Sequence, residues 1–267
     1  MATPIMSSLR ILSLLLSGLV AWAGAEAADP VKTGRMALRI FTDRDGLPQN
    51  SVEGVTLDAR GYLWVATQDG AARYNGRTWQ ALRPPGRSAG NIWLRSAFCD
   101  RSGTLWFGRS AGGVLEYRED RWVEHAIHPD VAKGRVSSLH QLSDGTLLAG
   151  TDAGLWAWSG GIWTPWGPAQ GQRLPPVLSL REITEGPQRG TVWIGTERGL
   201  ARLAAGTWTW YGTVQGLPAP DVWSLQPEHR PDGAWTLWIG TGRGLARLDG
   251  DRLTVLRSQD GVPENAI

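Results

Sequence analysis

Leu63-Trp64-Val65-Ala66-Thr67, closed by Gly70, decides the fold because the stretch returns four times. It recurs as Leu105-Trp106-Phe107-Gly108 with Gly113, and as Leu147-Leu148-Ala149-Gly150-Thr151 with Gly154. It comes back as Val192-Trp193-Ile194-Gly195-Thr196 with Gly199, and as Leu237-Trp238-Ile239-Gly240-Thr241 with Gly244. The anchors Trp64, Trp106, Leu148, Trp193 and Trp238 are 42, 42, 45 and 45 residues apart. A fixed period of about 40–45 residues with Gly and Trp punctuation is the signature of a four-stranded β-propeller blade. The spacing predicts an all-β propeller.

Each copy divides into four short runs. In the first they are Val52 to Leu57, Tyr62 to Thr67, Ala71 to Tyr74 and Arg77 to Leu82. Asp58-Ala59-Arg60-Gly61, Gln68-Asp69-Gly70 and Asn75-Gly76 separate them. Asn-Gly between two short strands favours a tight hairpin, because both residues tolerate positive φ. Blades are expected at residues 52–82, 94–126, 136–166, 177–211 and 222–256. A second aromatic column, Trp79, Trp122, Trp163 and Trp208, follows the anchors by 15 or 16 residues, with Leu253 in the fifth copy. Sixteen Trp is a heavy load for 267 residues; in columns they are expected to wedge blade against blade. The off-column ones (Trp93, Trp156, Trp158, Trp166, Trp210, Trp223, Trp235) are better placed for a ligand surface. Beyond residue 30 no stretch carries a 3.6-residue apolar period, so helix is not expected.

The start of the chain differs. Arg10 precedes the apolar run Ile11 to Val20, and small residues follow through Ala28. That is the layout of a secretory signal peptide over residues 1–27, with the mature propeller region over 28–267. The expected location is periplasmic or otherwise extracytoplasmic. Cys99 is the single cysteine, so no internal disulfide is available and the core must hold the fold. Net charge is +2, and no basic run suggests nucleic acid.

The segment Leu38-Arg39-Ile40-Phe41, followed by Asp45-Gly46-Leu47-Pro48, reads like the end of a blade. It parallels Trp208-Thr209-Trp210-Tyr211 with Gln215-Gly216-Leu217-Pro218, and Leu253-Thr254-Val255-Leu256 with Asp260-Gly261-Val262-Pro263. The expectation is therefore five complete blades plus an orphan N-terminal strand, in a ring that this chain leaves incomplete. The chain then reads as a fragment, a truncated gene product or one end of a longer protein.

Asp45-Gly46-Leu47-Pro48-Gln49-Asn50-Ser51-Val52, the block Asp58 to Thr67, and Gly70-Ala71-Ala72-Arg73-Tyr74 resemble the two-component regulator propeller repeat. The resemblance runs from about Leu38 to the end; the third copy departs from it, with Leu148 for Trp and with Trp156 and Trp158 in its third strand. It implies an extracytoplasmic sensor region, often arranged as two successive seven-bladed rings. A membrane helix would follow, then a histidine kinase, hybrid response regulator or diguanylate cyclase (GGDEF) module. None of those output motifs stands in these 267 residues. In some relatives the ligand is a glycan fragment, which the repeat itself does not encode.

The expected function is thus ligand sensing without catalysis or cofactor. The expected partners are a small polar ligand, the remaining blades and output module of a longer receptor, and a second copy in a dimer. Loops between blades and between second and third strands gather at one channel mouth. They carry the candidate ligand-binding residues Gln49, Asn50, Gln68, Asp69, Arg109, Asp152, Arg198 and Arg243, whose amide, carboxylate and guanidinium groups suit hydroxyl- or carboxylate-bearing ligands. Two alternatives stay open: a propeller enzyme resembling streptogramin lyase, which would gather His and Glu at one mouth, and a periplasmic interaction platform with a broad apolar patch. His125 and His128 beside Glu124 lack the converging ligands of a metal site. Asp43-Arg44-Asp45-Gly46 lacks the rest of a calcium loop, and Glu182 with Glu185 is a carboxylate pair without a pocket to its name.

Overall fold

The computed structural model describes residues 39–85, 92–131, 134–168, 173–230, 233–257 and 260. The expected signal peptide lies outside them. The described residues form twenty strands in five four-stranded antiparallel sheets. The first sheet holds β1 (Val52–Leu57), β2 (Leu63–Thr67), β3 (Gly70–Tyr74) and β4 (Trp79–Leu82). The second holds β5 (Leu94–Cys99), β6 (Leu105–Arg109), β7 (Val114–Arg118) and β8 (Arg121–His125). The third holds β9 (Val136–Gln141), β10 (Leu147–Thr151), β11 (Gly154–Ser159) and β12 (Ile162–Trp166). The fourth holds β13 (Val177–Glu182), β14 (Val192–Thr196), β15 (Gly199–Ala204) and β16 (Thr207–Tyr211). The fifth holds β17 (Val222–His229), β18 (Trp235–Thr241), β19 (Gly244–Asp249) and β20 (Arg252–Leu256). The fold is a β-propeller. Its only helical segments among the described residues are three short 3-10 turns.

The repeat is explained by its turns. Asp58 accepts the backbone N–H of Arg60 and Tyr62, both at 2.9 Å, and its other oxygen accepts the indole N–H of Trp64 at 2.9 Å. Asp100 does the same for Ser102, Thr104 and the Trp106 indole, at 2.9, 3.0 and 2.8 Å. One carboxylate therefore folds the turn and aims the anchor tryptophan. At the far end of the second strand, Thr67, Thr151, Thr196 and Thr241 each donate to the carbonyl of the Gly three residues on, at 2.7–2.9 Å. That Gly has positive φ, 98–133° across the four, which costs glycine nothing.

The Gly before the threonine has a different purpose. A Cβ on Gly195 would lie 2.2 Å from Ser179 Oγ and 2.6 Å from Val222 O, on the first strand of the next blade. Gly108 and Gly150 are blocked in the same way. The Trp-x-Gly-Thr motif thus combines an anchor, a close approach and a hairpin lock.

Third-to-fourth turns vary. The expected tight Asn-Gly hairpin is a longer connection, since Tyr74 pairs with Trp79 and only Gly76 is at positive φ, 91°. Asn75 instead accepts the N–H of Arg77 and Thr78 with its side-chain oxygen, both at 2.9 Å, an Asx turn that replaces the two-residue hairpin. The two-residue form is built by Glu119-Asp120, Gly160-Gly161 and Ala205-Gly206, each pair at positive φ.

Four apolar clusters fill four seams between successive sheets. Trp64 packs on Phe107 and Tyr117 of the second sheet, and Trp106 on Trp158 of the third. Leu148 meets Ile194 of the fourth sheet, and Trp193 meets Leu237 and Ile239 of the fifth. Trp64, Trp106 and Trp193 are 2–6% exposed. Trp238 was expected to match them and is only half-buried. The reason is the pattern itself: each anchor is covered by the following sheet, and none follows the fifth among the described residues.

The Gly-Leu-Pro segments pack on the sheets, one on the first sheet alone and one in a seam. Leu47 is buried against Val65 and Ala72, and Leu217 lies in the seam between the fourth and fifth sheets. Each segment opens with a 3-10 turn capped by its own side chain, Asp45 accepting from Thr42 N and Gln215 from Gly212 N, both at 2.8 Å. Asp45 is spent on this cap and Asp43 accepts from Arg44 N at 3.0 Å, so the calcium-like run is a structural turn. The expected orphan strand is corrected: residues 39–41 form no strand, and Leu38 lies outside the described residues. A fourth strand needs a third strand with a free side, and all five third strands are already flanked on both. Phe41 packs its ring on Tyr74 and Trp79 instead.

Candidate functional site

The first strand of every blade is innermost, and all five line one central channel of about 180 Å³. The first strands pair with their neighbours through one β-bulge each, at the same register: Val52/Gly54, Leu94/Ser96, Val136/Ser138, Val177/Ser179 and Val222/Ser224. The extra residue is Glu53, Arg95, Ser137, Leu178 or Trp223, and all five line the channel. A bulge re-aims its side chain out of the two-fold alternation. Antiparallel order puts these bulges at the same blade end as the second-to-third turns, since Val52 pairs with Thr67 and Thr67 with Gly70.

The mouth is polar and aromatic on one side. Glu53 accepts from Arg95 at 3.1 Å, from the Trp93 indole at 3.3 Å and from Gln68 at 3.2 Å. The Arg95 guanidinium stacks over Trp93, 4.1 Å from the ring centroid, a geometry that stabilises the cation while leaving its edge available. Trp223 stands across the ring, 48% exposed, with its indole N–H on Asp221 at 2.6 Å. Two residues past the bulge on β13, Arg181 also lines the channel; it is exposed, and partial desolvation by the surrounding protein holds its pKa below the ordinary value. The charged lining is Glu53, Arg95 and Arg181, two cations against one anion, which favours a ligand with negative charge.

The sequence-derived residues scatter around this mouth. Gln68 joins it directly through Glu53. Gln49 is used locally, accepting from Ser51 N, and Asn50 accepts from Asp43 N at 2.7 Å. Asp69 is ion-paired with Arg83. Asp152 accepts from Arg135 Nε at 3.0 Å, and Arg135 also reaches Glu197 at 3.3 Å, a rim network across two blades. Arg198 and Arg243 are exposed at their turns, where their backbone N–H groups serve Thr196 and Thr241. Arg109 lies away from the channel, buried and paired with Glu124. Sequence reasoning missed Glu53, Arg95 and Arg181. The off-column reading did single out Trp93 and Trp223.

None of the four histidines lines the channel. His125 pairs with Glu116 at 2.8 Å and packs on Trp106. His128 stacks on Trp156, and His229 sits against Trp235. His140 is enclosed beside Phe98; burial first, then Arg181 and Arg101, push its pKa down to about 4. Glu182 is buried and accepts from Ser143 N at 2.7 Å, bracing two blades, so it does not act as half of a carboxylate pair with exposed Glu185.

Solved structures share this architecture. The extracellular domain of what is described as a hybrid two-component system from B. thetaiotaomicron superposes with a TM-score of 0.64 at 18% identity. That match covers 85% of this chain and 32% of the other. Virginiamycin B lyase from Staphylococcus aureus gives 0.58 at 15% identity, covering 77% and 69%. PorZ, a surface component of the type-IX secretion system of Porphyromonas gingivalis, gives 0.58 at 17% identity, covering 84% and 35%. These are likenesses of fold. The chain spans about a third of the first of these proteins. No protein-family model and no curated protein matches it in sequence.

Proposed function

We propose that this chain is the ligand-sensing propeller region of an extracytoplasmic bacterial receptor, of two-component or diguanylate cyclase type. It binds a small polar ligand at the channel mouth and performs no chemistry on it. The observation that carries this reading is the ring of bulged side chains. Glu53, Arg95 and Trp223, with Trp93 and Gln68 behind them, converge on one small channel. Such a set offers acceptors, a guanidinium and aromatic faces to a carboxylate- or hydroxyl-bearing molecule such as an acidic glycan fragment. The likeness to the extracellular domain of a described hybrid two-component system supports the sensor class and the location. The export layout of residues 1–27 and the repeat resemblance point the same way. An output module and further blades are the partners this reading calls for, with dimerisation as the means of signalling.

The test is calorimetric titration of the protein with glycan-fragment and organic-acid libraries, repeated on Arg95→Ala and Glu53→Gln. The expected result is one ligand class whose affinity falls at least about tenfold in either variant, as losing a charged partner in a concave site should cause. A ligand indifferent to both changes would move the site elsewhere. Turnover of any bound compound would replace the sensor reading with a lyase-like one.

A further inference from the structure

The central channel has two unlike halves. On the first and second blades the charges answer one another: Glu53 accepts from Arg95, from the Trp93 indole and from Gln68. On the third, fourth and fifth blades Ser137, Arg181 and Trp223 line the same channel. Arg181 has no carboxylate partner among the described residues; its guanidinium donates to the carbonyl of Leu180 at 2.8 Å. The residue at its place in the other blades is Thr56, Phe98, His140 or Gln226, each opposite the second-strand anchor. The repeat therefore does not require a cation there.

A cation drawn partly out of water is normally paired, and the surrounding protein desolvates Arg181 enough to hold its pKa below the ordinary value. Ser137 is the bulge residue of β9 and lines the channel; its hydroxyl makes no hydrogen bond among the described residues. Trp223 is the bulge residue of β17 and is 48% exposed. Its indole N–H donates to Asp221 at 2.6 Å, which steadies the ring. Three successive blades thus present a hydroxyl, a guanidinium and an aromatic ring to one volume of about 180 Å³.

On the reading that the channel is a binding site, we propose that its ligand is a single hexuronate, one sugar ring bearing one carboxylate, anchored on Arg181. The planar guanidinium fork suits a carboxylate. A second negative charge is disfavoured, because Glu53 stands in the same channel and like charges repel. The ring's apolar face lies against Trp223, which offers contact area and little else, and a ring hydroxyl bonds Ser137. About 180 Å³ falls below the roughly 300–1,000 Å³ of sites for drug-sized ligands, so the channel suits one ring and not a chain of them.

Calorimetry of the intact protein with D-glucuronate, D-galacturonate, D-glucose and benzoate tests this. At least one uronate should bind. Glucose lacks the carboxylate and benzoate lacks the hydroxyls, so each should bind at least about tenfold more weakly. Arg181→Gln should weaken the uronate by a similar factor and close its gap to glucose. Ser137→Ala should weaken it about threefold and leave benzoate unchanged. NMR adds a readout that a purely structural Arg181 would not move. Burial first, then the charges of Arg181 and Arg101, hold the His140 pKa at about 4; the uronate should raise it and glucose should not. Failure of both uronates to bind, glucose or benzoate as tight as the uronate, binding untouched by Arg181→Gln, or a His140 pKa that the uronate leaves in place would each overturn the proposal. A ligand from the wider libraries that responds to Arg95→Ala but not to Arg181→Gln would leave the sensing channel standing and remove only this assignment. If Arg181→Gln fails to fold, the four probes and Ser137→Ala still decide.

Discussion

Trp193 and Trp238 are the same residue in successive copies of one motif, yet their energies differ because of what lies beside them. Trp193 is 2% exposed under the fifth sheet, so Trp193→Ala should cost about 3–5 kcal/mol, the range for a large aromatic removed from a core. Trp238→Ala should cost about 1 kcal/mol, nearer the average of all substitutions. Urea melts of the two variants check both figures, and equal losses would contradict the seam pattern. His140 makes a separate, pH-dependent prediction. Its ordinary pKa of 6.5 is pushed down to about 4 by burial. The unfolded chain therefore takes up this proton near pH 6.5 and the folded chain only near pH 4. The stability from keeping the ring neutral is whole above pH 6.5 and drains away as pH falls, by about 3 kcal/mol at pH 4. Melting temperatures across that window should drop in the parent and drop less in His140→Leu.

At the scale of strands and turns, the close approach at Gly195 predicts that Gly195→Ala destabilises by about 1–3 kcal/mol, since the added carbon meets backbone of the next blade. The third-to-fourth turn predicts the opposite sign. Ala205 sits at φ 46°, where a side chain costs about 1 kcal/mol, so Ala205→Gly should raise the urea midpoint. These turns show what the sequence made legible and what it did not. Asp58, Thr67 and Gly70 act on residues within a few positions, so their spacing alone reveals the blade. The charged residues of the channel mouth were hidden because a bulge adds one residue to a strand. Counting alternate residues from Val52 then assigns Glu53 to the wrong side. Arg109 was chosen for its turn, and only the packing shows that its turn faces an outer cavity. Trp238 matched its column by spacing, while its exposure depends on a neighbouring sheet that spacing does not describe.

For the molecule as a whole, each sheet holds its place through the sheets on either side, as in other repeat architectures. The second, third and fourth sheets have a seam on both faces. Native-state hydrogen exchange should be slowest in β6, β10 and β14 and faster in β18, because local opening tracks how many neighbours must part. Uniform protection across the four would rule this out. The export reading carries its own check: the mature protein isolated from its host should begin near Ala28 by mass spectrometry. Among the features of the ring, the five bulges have the widest consequence. At one structural position the chain holds Glu53, Arg95, Ser137, Leu178 and Trp223, acid, base, hydroxyl, aliphatic and aromatic. One step further along each strand it holds only Gly54, Ser96, Ser138, Ser179 and Ser224; a Cβ on Gly54 would meet the backbone of the second blade, and the Ser96 and Ser179 hydroxyls donate to Val136 O and Val222 O of the blade that follows theirs. Specificity and architecture are thereby written at separate addresses. A randomised library confined to the five bulge positions should yield mostly folded proteins and, on the proposed sensing function, altered ligands without the scaffold being rebuilt.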